Sequence, residues 1–244
     1  MPLRFAAEPT AEECEIYPES DGKPMSETEL HLRMTIYIWQ LLDWRYQRPD
    51  VFVGCDMNVY WVEGNPRRCV VPDVFVALGA RVLDAPRRIY QTWREGVPPT
   101  TAIEVTSRKT RRRDIQFKPE VYRRMGVAEY FLFDPTGDYL EQPLMGFRRT
   151  GEKMDGDRFE PLELDDTRAL DCRSLGLRLR VDRERTLRLI DAATGKRLLT
   201  EAEEATERAD RAMAEADRAM AEAEAGRRRV AELEAELRRL RGEG

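Results

Sequence analysis

A single histidine, His31, serves the whole 244-residue chain. An HExxH zinc site or a two-histidine finger is therefore excluded. A Ser-His-Asp triad would have to use His31 as its base, and no GxSxG elbow accompanies it. The four cysteines, Cys14, Cys55, Cys69 and Cys172, are scattered and form no CxxC, which reads as reduced, partly buried thiols. Neither GxxxxGK[ST] nor GxGxxG occurs, so the sequence gives no support to a phosphate-cradling nucleotide loop. No apolar run approaches the roughly 20 residues that cross a bilayer, and the opening MPLRFAAEPTAEECEIYPES has no apolar h-region. The expectation is a chain with no membrane span and no secretory signal, cytoplasmic by default. What is left for chemistry is carboxylate, lysine and arginine, a donor set suited to hard, oxygen-bound Mg2+, or Mn2+ in its place.

Charge is abundant. Charged residues make up 36% of the chain against 41% hydrophobic ones, which points to a globular body plus a charged helical segment. The net charge of -5 is unevenly placed, because about 13 acidic and about 9 basic residues lie from Leu198 onward. The body is thus close to neutral. The tail carries a seam at Ala202, Ala205, Ala209, Ala212, Ala216, Ala219, Ala223, Gly226, Val230, Leu233, Leu237 and Leu240, stepping by three and four in alternation. That is an a/d pattern held for about six heptads. The heptad ADRAMAE occurs twice in succession, at 209–215 and 216–222, and Met213 and Met220 widen the seam. Small alanines fill its first half and Val230 with three leucines its second, so pairing should be tightest at the C-terminal end. The reading is a body over residues 1–197 and a coiled-coil dimerisation helix over 198–244; the competing reading of the tail is a lone alanine-rich helix.

Within the body, Glu27 to about Tyr46 reads as an amphipathic helix, with Met34, Ile38, Leu41 and Leu42 on one stripe and Ser26 with Glu29 as a capping box. Strand-like segments follow at 51–64, at 69–78 with a break at Pro72 and Asp73, and at 101–106. A basic loop then leads to a helix from about Asp114 to Met125, closed by Gly126, and to a strand over 129–134. Residues 176–181 and 186–191 look like a terminal hairpin. Trp39, Trp44, Trp61 and Trp93 read as core or lid residues. The class is α/β, in the order helix, three strands, helix, strand, with additions.

Two carboxylates stand out. Asp73 interrupts VVPDVFVAL and Glu104 interrupts TAIEVT. Burying a carboxylate among Val, Ile and Phe costs several kcal/mol unless it is paired or cation-bound. Two such groups on separate short strands can converge at one end of a sheet and hold Mg2+, with carbonyls and waters completing the shell. The competing reading pairs one with an arginine and leaves the other facing solvent. Arg108, Lys109, Arg111, Arg112 and Arg113 follow Glu104 within ten positions. A basic loop beside a metal site is a clamp for a nucleic-acid backbone; otherwise it is simply a solvated loop. Lys118 lies four residues after Asp114 and four before Tyr122, placed to turn its ammonium toward the carboxylates. Pro119 disfavours helical geometry at Lys118 and suits the first helical position.

The segments PDVFVALG and TAIEVTSRKTRRRDIQFKPEVYRRMGVAEYFLFDPTG, with the earlier YPESDGKPMSETELH, resemble the Uma-two family of endonucleases, part of the PD-(D/E)XK, restriction-endonuclease-like superfamily. The resemblance covers roughly residues 14–195. It implies an αβββαβ core with added strands, to which the coiled-coil helix is an appendage. It matches Pro72 and Asp73 to the family's PD and Glu104 to its (D/E) position. The motif lysine two residues after Glu104 is replaced by Thr106, and Lys118 in KxxxY is the position that matches a lysine displaced onto the next helix. The implied function is a Mg2+-dependent endonuclease acting on DNA. Asp73 and Glu104 would be metal ligands, Lys118 an assisting group and residues 108–113 a backbone clamp, with a homodimer formed through the tail. The missing lysine at Thr106 keeps open a non-catalytic nucleic-acid-binding or scaffold protein on the same fold, and a coiled-coil interaction module with a vestigial body is a third reading. In related folds a carboxylate on the first helix can join the metal site; for Glu27 and His31 the plainer reading is a cap and a satisfied core histidine.

Overall fold

In the computed structural model, position 17 and residues 28–81, 86–151 and 157–242 are described. Two compact units comprise residues 1–198 and 199–244.

The first unit is built on a six-stranded sheet. Its strands are β1 (Val51–Cys55), β4 (Val74–Leu78), β6 (Thr101–Val105), β7 (Glu129–Phe133), β8 (Leu144–Thr150) and β9 (Arg158–Pro161), in that spatial order. Pairing is antiparallel except between β6 and β7, which run parallel with Glu104 opposite Leu132. A parallel pair needs a crossover, and here it contains helix α3 (Lys118–Met125). Gly126, at φ 97°, ends α3 in the left-handed conformation that glycine adopts without a Cβ clash.

Period-two alternation sends the strand side chains to two cores. Val74, Val76, Ile103, Val105, Phe131 and Phe133 enter one, which α1 (Glu29–Arg45) covers with Ile38, Leu41 and Leu42. Phe75, Ala77, Ala102, Tyr130 and Leu132 enter the other, against Val121 and Tyr122 of α3. The first core also takes the meander β10 (Ala169–Cys172), β11 (Leu177–Val181) and β12 (Leu187–Asp191). The paired strands at 177–181 and 187–191 are the hairpin read from sequence. The second core is backed by a small sheet of β2 (Val59–Tyr60), β3 (Cys69–Val70) and β5 (Tyr90–Gln91), followed by the short helix α2 (Thr92–Glu95). The four tryptophans are all half-buried.

Several boundaries differ from expectation. The described first helix begins at Glu29, and its cap is Thr28, whose hydroxyl accepts the His31 N–H at 3.2 Å. Ser26 and Glu27, expected to cap and open it, lie outside the described residues, as does Cys14. The 51–64 segment is two strands in different sheets. Asp56, at φ 49°, turns the chain out of the central sheet, and its N–H donates to the Asp73 carbonyl at 3.1 Å. The expected α-helix at Asp114 opens instead as a π-helical turn over Arg113–Phe117, with the Lys118 N–H reaching Arg113 O. Pro119 explains this. An α-helix would need its absent N–H for the Ile115 carbonyl, and its ring would clash there; widening the turn by one residue relieves both.

The second unit is helix α4 (Glu201–Leu240). Its capping box is complete: Thr200 Oγ1 accepts the Glu203 N–H at 3.2 Å and Glu203 Oε2 accepts the Thr200 N–H at 2.9 Å. Met213, Met220, Val230, Leu233, Leu237 and Leu240 are all exposed. Among the described residues, no helix is long and apolar enough to cross a membrane.

Candidate active site

The site forms at the carboxyl end of β6, where β4 begins and α3 starts. Asp73 stands one residue before β4, at the interruption that Pro72 and Asp56 make in the strand run. Its Oδ2 accepts the Val105 N–H at 2.7 Å and lies 3.2 Å from His31 Nε2. Its own N–H donates to Glu104 Oε2 at 3.1 Å. The two carboxylates, 31 positions apart, are thus laced together by backbone groups of adjacent strands. Glu104 is 0% exposed. Lys118 Nζ lies 2.7 Å from its Oε2 and 3.2 Å from Asp114 Oδ1, and Tyr122 donates its hydroxyl to Glu104 Oε1 at 2.5 Å. Among the described residues neither Asp73 nor Glu104 is paired with an arginine, and Glu104 does not face solvent, against the competing reading of the carboxylates.

Asp73, Glu104 and Lys118 are therefore brought together. Three more residues join them that the sequence did not mark as site residues. Asp114 and Tyr122 sit four before and four after Lys118, on the same inner face, and that spacing was the available signal. His31 reaches Asp73 from α1 on the opposite layer, buried and hydrogen-bonded as the plainer reading has it. Thr106, at the position of the motif lysine, is buried, and its hydroxyl has no hydrogen-bond partner among the described residues. Arg108, Lys109, Arg111, Arg112 and Arg113 are exposed on the segment that leads from β6 into the π turn.

Three carboxylates share one ammonium group here. Burial raises the Glu104 carboxyl, and Asp73 and Asp114 add to the rise against the pull of Lys118, bringing it to about 8. Asp114 is likewise raised by burial. Burial opposes ionisation of Asp73 too, but the His31 hydrogen bond, the Lys118 charge and the Val105 N–H hold it below the ordinary value. Lys118 stays above its ordinary value despite burial, through Glu104, Asp114 and Asp73. A site so loaded is short of positive charge. Asp114 shows it most directly: it is buried, and the ammonium it faces at 3.2 Å is the one that Glu104 holds at 2.7 Å. Two other buried carboxylates differ. Glu129 accepts from Ser174 N–H, Ser174 Oγ, Arg173 N–H and Arg148, and Asp134 accepts four backbone N–H groups. Those two are structural; Asp114 has only a share of the Lys118 ammonium, at 3.2 Å from Oδ1.

Among the described residues, no three His, Cys, Asp or Glu groups are gathered as a ready-made metal cage. Mg2+ does not require one, because it is held through one or two carboxylates and keeps several waters. Among the described residues nothing donates to Asp73 Oδ1, and Asp114 shares its ammonium with Glu104, so both can offer carboxylate oxygen. The residues fit a hard divalent cation.

The Glu104 shift makes metal-free stability depend on pH. The folded chain keeps a proton on Glu104 up to about 8, whereas the unfolded chain loses it near the ordinary 4.5. Folding therefore takes up a proton within that window, and stability falls as pH rises through it. Asp73 has the opposite sign but acts below its ordinary 3.8, outside the window. In EDTA, the melting temperature of Glu104→Gln should gain on that of the wild type as pH rises from about 5 to about 8. A constant gap would show that the carboxyl titrates normally.

The crystal structure of a putative nuclease belonging to DUF820 from Anabaena variabilis is similar to this chain at 13% identity and a TM-score of 0.44, covering 64% of this chain and 80% of that one. No curated protein matches. The pattern of the Uma2 family, described as "Putative restriction endonuclease", matches residues 5–181, a span holding every residue of the site above. The chain belongs to the Uma2 family of putative restriction endonucleases.

Proposed function

We propose that this protein is a Mg2+-dependent endonuclease that hydrolyses phosphodiester bonds in DNA, with Mn2+ able to replace Mg2+. The observation that carries the reading is that Glu104 and Asp114 share the Lys118 ammonium while Asp73 is tied to Glu104 through its N–H. The order α1, β1, β4, β6, α3, β7 supports a restriction-endonuclease-like αβββαβ core with β8 to β12 as additions. Asp73 and Glu104 are the metal ligands. When bound, the ion supplies an acidified water and charge neutralisation at phosphorus.

The chain's own residues do the rest. Lys118, locked against Glu104, takes the place of the lysine missing at Thr106 and offers positive charge to the phosphoryl oxygens. Tyr122 fixes Glu104 through Oε1, and His31 fixes Asp73 through Oδ2. The exposed arginines and lysine of 108–113 hold the backbone without reading sequence. Residues 198–244 join two copies, which would present two sites for the two strands. The free thiols Cys55, Cys69 and Cys172 suit a cytoplasmic setting.

Thr106 favours a second reading, a nucleic-acid-binding protein without catalysis. Titrating Mg2+ or Mn2+ into wild-type protein with supercoiled DNA separates them. Nicked and linear products that vanish with EDTA are expected. Binding without any cleavage overturns the enzymatic reading and leaves the binding one.

A further inference from the structure

The π turn at Arg113–Phe117 does more than accommodate Pro119. It turns Asp114 and Lys118 inward and leaves the residues between them outside. Ile115 is 41% exposed and Phe117 52% exposed. Two residues apart on a helical turn, they face different sides; Phe117, the larger and more exposed, directly precedes buried Lys118. Phe117 is one peptide unit, about 3.8 Å between Cα atoms, from Lys118. Immediately upstream, Arg108, Arg111, Arg112 and Arg113 are exposed and have no carboxylate partner among the described residues. A second copy of this chain or an apolar protein partner would meet that uncompensated positive charge. A polyanion with apolar faces between its charges complements both features, and nucleic acid is that ligand.

We infer that Phe117 forms a wedge and stacking platform that receives a base displaced from the helix beside the scissile phosphate, so that the substrate class is DNA with an unstacked base: bulged, branched or single-stranded. The basic segment grips the phosphates on one side of the step, while Phe117 gives the exposed π face an apolar surface. This rests on the nuclease reading above and deepens it. Intact duplex satisfies only the basic segment, since its bases remain stacked on one another.

The test is run in EDTA, so that binding is read without cleavage. A fluorescent duplex carrying one unpaired adenine is compared with the fully matched duplex, with 2-aminopurine at the bulge reporting unstacking. Wild type should bind the bulged duplex about tenfold tighter than the matched one and change the 2-aminopurine signal. Phe117→Ala should weaken binding to the bulged duplex roughly 5- to 10-fold, the loss of one base–aromatic stack that removes the preference, with little change on the matched one. Phe117→Trp should keep the preference, and Arg111→Gln should weaken both duplexes alike. Equal affinity of wild type for the two duplexes, or an unchanged Phe117→Ala, overturns the wedge. A change of oligomeric state in Phe117→Ala with DNA binding intact also overturns it and assigns the patch to a protein contact. A preference for bulged DNA with no cleavage in Mg2+ or Mn2+ sinks the nuclease reading while the wedge stands.

Discussion

Asp73→Asn should lower the rate of DNA cleavage in Mg2+ by roughly 10²–10³-fold, the loss expected when one preorganised charge is removed from where the transition state needs it. The amide keeps the size of the carboxyl and can still accept the Val105 N–H, so the fold should hold. What it loses is the charge at Oδ1, to which nothing donates among the described residues. A second readout needs no catalysis. A cation bound at about 100 times its dissociation constant adds about 2.7 kcal/mol to the folded state, or roughly 5–10 °C in melting temperature for a body of this size. Wild type should show that gain in Mg2+ or Ca2+, and Asp73→Asn should not. If the variant cleaves and gains as the wild type does, Asp73 is no ligand, and the centre must be sought at Asp114.

The same residues show how far the sequence could be read. Asp73 and Glu104 were visible because a carboxylate inside a β-branched run has no cheap explanation. Lys118 was legible from its four-residue steps to Asp114 and Tyr122, and the family pattern then matched it in place of the lysine replaced by Thr106. Asp114 was hidden by its neighbours: after three arginines it reads as a solvated acid, and only the four-residue step to Lys118 betrays an inner face. His31 was not legible, since its contact crosses 42 positions and two layers of the fold. The strands β8 and β9 escaped because LMGFRRT and RFEP put arginines on a half-exposed sheet edge and blur the alternation. The break at Asp56 depends on one left-handed residue, a conformation that Asp tolerates but does not announce.

Leu233→Ala combined with Leu237→Ala should convert the protein from dimer to monomer. These side chains occupy d and a of the seam read on α4, and both are exposed on the helix by itself. At about 0.8 kcal/mol per buried CH2, each replacement removes about 2 kcal/mol. A dimer loses four such side chains, enough to weaken association more than ~10⁴-fold. Alanine is the better helix former, so a loss of dimer reports lost pairing and not a melted helix. The flanking positions set the orientation. In a parallel pair, g of one helix meets e of the next heptad on the other, which puts Glu222 with Arg227, Arg229 with Glu234 and Glu236 with Arg241 across the interface. All three are attractive, and all lie where Val230 and the leucines are. Arg227→Glu should therefore weaken the dimer, and adding Glu222→Arg should restore it. Light scattering coupled to size exclusion reads each case; a wild type that stays monomeric at about 100 times a micromolar concentration would remove the arm from the account. Because a double-strand cut needs two sites held near each other, the monomeric double variant should still nick supercoiled DNA but yield little linear product.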